Sequence, residues 1–134
     1  MVTTTNKLVL VLLLLVLAAV PALAETISCA QCGMTVDLGS KFTSRIVQGG
    51  KTFYFCDIGD LLTYLSKHQQ QAGQIEVRDY PTGDWIPAKT ASYVSAPNTF
   101  KSPMGWGIAG FKDQRTAAMN GKALDFDAAL KAVK

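Results

Sequence analysis

Between residues 42 and 56 the chain alternates in character. Phe42, Ser44, Ile46 and Gln48 fall on one side and Thr43, Arg45 and Val47 on the other, before Gly49-Gly50 leads into the aromatic run Lys51 to Cys56. Two short strands joined at a glycine pair predict a β-hairpin. Asp57 then offers an N-cap with Asp60 in the first turn, and Ile58, Leu61, Leu62 and Leu65 recur at the helical spacing i, i+3, i+4, i+7. A helix is therefore expected to start immediately after Cys56 and to end near Gln69-Gln70-Gln71, before Gly73.

The pattern comes round again further on. Gln74 to Tyr80 reads as a strand, Pro81-Thr82-Gly83-Asp84 as a turn and Trp85-Ile86 as the return, with further short strands at Ala91 to Val94 and Gly107 to Phe111. Asp113 is placed to cap a helix running to about Met119. Asp125 is placed to cap a last one, on which Phe126, Ala129, Leu130 and Val133 form one apolar stripe. The expected fold is a small single α+β domain with two strand-strand-helix (ββα) pseudo-repeats, alike in pattern rather than in residues.

A different pattern precedes these elements. Lys7 is the one charge among the first 24 residues, Leu8 to Val20 is unbroken apolar sequence, and Pro21-Ala22-Leu23-Ala24 places small residues before Glu25. Such a stretch reads as a secretory signal at residues 1–24, too short for a typical membrane span, with the working domain at 25–134. An uncleaved signal would instead leave the protein attached to the membrane. Removing 24 of the 134 residues leaves 110, enough for one modest core. Loss of Lys7 leaves 12 basic and 10 acidic residues. So weak a basic excess, without a clustered basic face, argues against nucleic acid as a partner. The expected location is the periplasm, as an exported soluble protein.

Export changes the meaning of the cysteines. An oxidising compartment favours disulfides, and three cysteines cannot all pair within one chain. Two of them form Cys29-Ala30-Gln31-Cys32-Gly33-Met34, and the third, Cys56, stands at the start of the expected helix. That arrangement is treble-clef-like, but a zinc knuckle would want a fourth thiol three residues after Cys56, where Gly59 stands. The cluster is soft and one thiol short of a closed structural site, which points to Cu(I) in transit more than to zinc held for stability. At a helix N-terminus the Cys56 thiolate is expected to be favoured and its pKa to fall.

Other residues offer donors of different chemistry. Met104, in the rigid loop Pro103-Met104-Gly105-Trp106-Gly107, offers a thioether that suits Cu(I) and scarcely binds zinc, and Met34 follows the knuckle glycine. His68, the single histidine, falls in a polar last turn and reads as a solvated or helix-dipole partner. Asp57 reads first as a cap and secondly as a group holding a ligand in place. No nucleophile signature accompanies the histidine and there is no phosphate-cradling glycine loop, so an enzyme is not expected.

Cys29-x-x-Cys32-Gly33-Met34, Gly50 through Phe55-Cys56-Asp57-Ile58-Gly59-Asp60, Val77-Arg78-Asp79-Tyr80, Trp85-Ile86-Pro87-Ala88, and Pro103-Met104-Gly105 with Gly107 through Phe111 together resemble the NosL family, the copper-binding accessory proteins of nitrous oxide reductase assembly. The resemblance spans nearly all of the expected mature chain in order. It implies a ββα-type pseudo-repeat fold, a Cu(I) site, and delivery of copper to apo nitrous oxide reductase or its copper-assembly proteins. Cys56 is a departure, not being expected in every member. The resulting expectation is a metallochaperone binding one Cu(I) through Cys29, Cys32 and Met104, with Met34 and Cys56 as further candidates. A structural zinc module and a periplasmic dithiol oxidoreductase using Cys29 and Cys32 stand as alternatives.

Overall fold

The computed structural model describes residues 20–69 and 73–134. Strand β1 (Ser44–Gln48) and strand β2 (Lys51–Phe55) form the hairpin expected from the alternation, in antiparallel register with Gln48 opposite Lys51 and Ser44 opposite Phe55. Gly49 and Gly50 turn it at φ of 56° and 75°, the doubly positive pair that a two-residue hairpin turn requires. Strand β1 begins two residues later than the alternation alone would place it. Phe42 and Thr43 are held instead in a turn, where the Phe42 N–H donates to Ser40 Oγ and Thr43 Oγ1 donates to the Asp37 carbonyl.

Helix α1 (Ile58–Lys67) follows directly, with Asp57 as its N-cap accepting from the Gly59 N–H. It stops at His68, somewhat before the glutamine run, whose Gln70 and Gln71 lie outside the described residues. Strand β3 (Gln74–Arg78) pairs antiparallel with β1, and β4 (Trp85–Pro87) pairs antiparallel with β3, giving one four-stranded sheet in the order β2-β1-β3-β4. Tyr80 falls outside β3 because the chain is already turning: the Asp79 N–H donates to the Asp84 carbonyl and the Gly83 N–H to the Asp79 carbonyl.

One face of this sheet carries Ile46, Phe55, Ile75, Val77 and Ile86, which form a core with Ile58, Leu61 and Leu62 of α1. Burying side chains of this size contributes roughly 1.5–3 kcal/mol each before entropy is counted. The opposite face is polar. Arg45 bonds Glu76 at 2.7 Å, and the Arg45 and Arg78 guanidinium carbons lie 4.1 and 3.7 Å from the Trp85 ring centre.

Strands β5 (Ser92–Ser95) and β6 (Ile108–Phe111) make a separate antiparallel pair followed by α2 (Gln114–Asn120) and α3 (Phe126–Ala132), capped by Asp113 and Asp125 as expected. Strand-strand-helix thus occurs twice, as β1-β2-α1 and β5-β6-α2, while the β3-β4 hairpin extends the first sheet. Val94, Phe100, Ala109, Phe111 and Ala117 form a second core, with Tyr80 packed edge-on against Phe100. The Tyr80 N–H also donates to the Gly110 carbonyl, joining the two sheets. Among the described residues no helix is long and apolar enough to cross a membrane. The expected secretory signal falls largely on residues 1–19, outside the described residues.

Candidate metal centre

The Cys29 to Met34 segment folds back on itself. The Cys29 N–H donates to the Met34 carbonyl at 2.7 Å, the Gly33 N–H to the Cys29 carbonyl at 2.9 Å, and Ser28 bridges to Thr35. Gly33 takes φ of +77°, where a side chain would be strained, so glycine after Cys32 lets the knuckle close. The Ala30 N–H then donates to the Tyr54 carbonyl at 2.9 Å. This bond ties the knuckle to β2 two residues before Cys56, and so brings the first two thiols to the third.

Cys32 Sγ lies 3.4 Å from Cys56 Sγ. Asp60, one helical turn after Cys56, places Oδ2 3.5 Å from Cys29 Sγ and 3.7 Å from Cys56 Sγ. All four donor atoms fall within 4.8 Å of one another. Cys29, Cys56 and Asp60 are buried and Cys32 is partly exposed at the rim. The three thiols are free of disulfides.

Electrostatics at the cluster run against the expectation for Cys56. Burial pushes its thiol far up from the ordinary range, and Cys32 and Cys29 push it further. Two effects compete here: the helix N-terminus favours a thiolate, while removal from water and crowding by other acidic groups disfavour one. Burial wins, so the lowered pKa expected from sequence is overturned. Cys32 is raised as well, by burial first, with the Met34 backbone hydrogen bond working in the other direction. A metal entering this cluster must displace protons from sulfur.

A loop from the far end of the chain completes the surroundings. Asp57 is fully buried; besides capping α1 through Oδ1, it accepts through Oδ2 from Ser102 Oγ at 2.6 Å and from the Met104 N–H at 3.0 Å. Ser102 Oγ accepts in turn from the Gly107 N–H. Trp106 Nε1 donates to Asp60 Oδ1 at 3.0 Å, and its ring lies so close over Gly59 that a Cβ there would stand 2.0 Å from Cγ. Asp57 therefore both caps the helix and anchors the backbone that carries Met104, in keeping with the secondary role expected of it.

The two methionines stay largely at the surface: Met104 is 41% exposed and Met34 50%. His68 is at the other end of α1, roughly 16 Å along the helix axis from Asp57. It stacks on Tyr64 with ring centres 4.1 Å apart, well away from the thiols. Asp60 is the member of the cluster that sequence reasoning read only as a first-turn acidic residue. The spacing Cys56-x-x-x-Asp60, one turn of helix, is the signal that could have marked it.

A family profile described as NosL matches residues 20–128. In three dimensions the chain is similar to the crystal structure of the copper chaperone NosL from Shewanella denitrificans. That match has a TM-score of 0.66 and 22% sequence identity, covering 81% of this chain and 92% of the other, a likeness that establishes the shared fold. No curated protein matches the chain in sequence.

Proposed function

Since the chain belongs to the NosL family, we propose that it is a non-enzymatic copper-binding accessory protein, a metallochaperone that holds Cu(I) outside the cytoplasm and passes it on. The observation that carries this is the convergence of three free thiols beside a rim exposed to solvent. The crystal structure it resembles is of a protein described as a copper chaperone, which supports the same reading. Cu(I) is the cargo rather than a resident cofactor. Cys29 and Cys32 of the knuckle and Met104 of the anchored loop would hold it, with Met34 and Cys56 as further donors.

Soft sulfur donors prefer Cu(I). A three-coordinate sulfur site leaves room for an incoming ligand before a resident one departs. Partly exposed Cys32 and the two half-exposed methionines are the donors a recipient can reach first. The proposed recipient is apo nitrous oxide reductase or its copper-assembly proteins. The proposed location is the periplasm, reached by the signal at residues 1–24, with residues 25–134 as the working domain. Because Phe55, Ile58, Leu61, Leu62 and Val77 form a core without any ion, the metal-free protein is expected to remain folded.

The test is an anaerobic titration of the reduced protein with Cu(I) against a competing chelator, followed by mixing the loaded protein with copper-free reductase and tracing the metal after separation. One Cu(I) per chain and movement of copper to the reductase are expected. Copper retained under every reducing condition, together with ready disulfide exchange between Cys29-Cys32 and other proteins, would favour the dithiol oxidoreductase instead.

A further inference from the structure

The thiols gather at the N-terminal end of α1. Beside its other end lies a cleft whose apolar walls are Leu65 of α1, Ile75 of β3, and Phe126 and Leu130 of α3, enclosing about 290 Å³. Ile75 is buried, whereas Leu65, Phe126 and Leu130 are only half-buried. All four pack on the first core, so the cleft is a place where that core stays open to solvent. Covering such walls with another apolar group is favourable in proportion to the area taken from water.

The rim carries charge of one sign. Lys89, in the turn after β4, and Lys134, beyond α3, line the cleft, and no carboxylate does. Neither ammonium has a hydrogen-bond or ion-pair partner among the described residues. The nearest acidic groups on the packed elements are placed elsewhere. Glu76 pairs with Arg45, Asp125 caps α3 through the Ala128 N–H, and Asp125 and Asp127 line an adjoining hollow that shares Lys89 and Phe126 with the cleft. His68 forms a firm edge, since its Nδ1 donates to the Tyr64 carbonyl at 2.9 Å and its ring stacks on Tyr64.

Size narrows the ligand further. The cleft stands at the lower limit of small-molecule sites, which run from about 300 to 1,000 Å³. At about 30 Å³ for each water-sized group it takes about ten, enough for one medium alkyl chain and too few for a two-chain lipid. We infer that this cleft binds a single-chain anionic amphiphile of the medium-chain carboxylate class. Its alkyl chain lies among Leu65, Ile75, Phe126 and Leu130, and its carboxylate faces Lys89 and Lys134. The site shares no residue with the thiol cluster and goes beyond the copper reading.

The experiment titrates the reduced protein with decanoate below its micelle concentration, by calorimetry and by amide shifts in NMR spectra, with octanoate and decyltrimethylammonium as comparisons. Expected are one decanoate per chain and shifts grouped at Leu65, Ile75, Phe126 and Leu130. Octanoate should bind about tenfold more weakly, since each seated methylene contributes up to about fourfold. The cationic amphiphile should bind at least about tenfold more weakly than decanoate. Leu130→Trp, which fills the cleft, should abolish binding, and Lys89→Glu should weaken decanoate by about fivefold, the modest effect of an exposed charge. No saturable binding, equal affinity for the two head groups, or shifts scattered over the surface overturns the inference. Should Leu130→Trp fail to fold, the exposed Lys89→Glu decides, and unchanged decanoate affinity overturns it. A protein that sediments with phosphatidylglycerol vesicles but ignores decanoate overturns it too, because the cleft then serves a membrane surface.

Discussion

Two buried carboxylates, Asp79 and Asp60, sit in regions of opposite character. Asp79 lies at the joint between the sheets, where Oδ2 accepts from Thr82 Oγ1 at 2.7 Å and Oδ1 from the Lys112 N–H at 2.9 Å. Both of its oxygens meet strong donors, and the result is a stitched turn. Asp60 has one strong donor, the Trp106 indole, and its other oxygen meets thiols alone. A carboxylate that serves the fold has its hydrogen bonds complete within the chain, whereas one set beside weak donors leaves capacity for something from outside.

That contrast is open to attack at several points. The largest effect is expected at Asp79→Ala, which strands Thr82 and the Lys112 N–H and should lower stability by about 3 kcal/mol. Urea unfolding of the metal-free protein measures it, and metal affinity of the folded fraction should not change. Asp60→Ala in the same assay should cost about 1 kcal/mol or less, since it gives up one strong bond and also relieves a buried charge. A cost for Asp60→Ala as large as that for Asp79→Ala would erase the distinction.

Cys32→Ser comes next. It should reduce Cu(I) affinity by about a hundredfold, roughly 2.7 kcal/mol, with little loss of stability because the side chain is already partly exposed. Met104→Ala should weaken Cu(I) by about tenfold and leave zinc nearly unchanged. Ser102→Ala acts further back. It removes a donor to Asp57 and an acceptor for the Gly107 N–H, so about 1 kcal/mol of stability should go, and Cu(I) affinity should fall more than zinc affinity if the Met104 loop serves copper alone.

The smallest effect is the pH dependence of the metal-free protein. Burial raises the Cys56 and Cys32 thiols in the folded state, whereas unfolded cysteine ionises near pH 8.5. Below that value both states keep their thiol protons. Above it the unfolded chain loses protons first, so stability should decline as pH rises from about 8 to 10. Urea midpoints across that range check it, and Cys56→Ser should flatten the slope.

Local chemistry was the legible part of the sequence. The Gly49-Gly50 turn and the caps Asp57, Asp113 and Asp125 are decided within a few residues, and each formed where its side chain placed it. What was hidden depends on distant partners. That β3 pairs with β1 as well as β4 is a matter of tertiary register. The anchoring of Ser102 and Met104 on Asp57 spans 45 and 47 residues. Asp60 escaped for another reason: acidic residues are common in first turns because the helix dipole favours them, so its composition signal pointed to a sufficient local cause. The rise of the Cys56 pKa was equally out of reach, since it depends on burial that only the folded chain creates.

The tryptophan lying across Gly59 bears on a question of ancestry and redesign. Position 59 is where a four-thiol knuckle would carry its last cysteine, yet a β-carbon there would stand 2.0 Å from Trp106 Cγ. A thiol at 59 and the indole at 106 are mutually exclusive unless the backbone moves. Any route between this chain and a four-cysteine zinc protein must therefore change both positions together, and Gly59→Cys alone should disrupt the loop that carries Met104 before it gains a ligand.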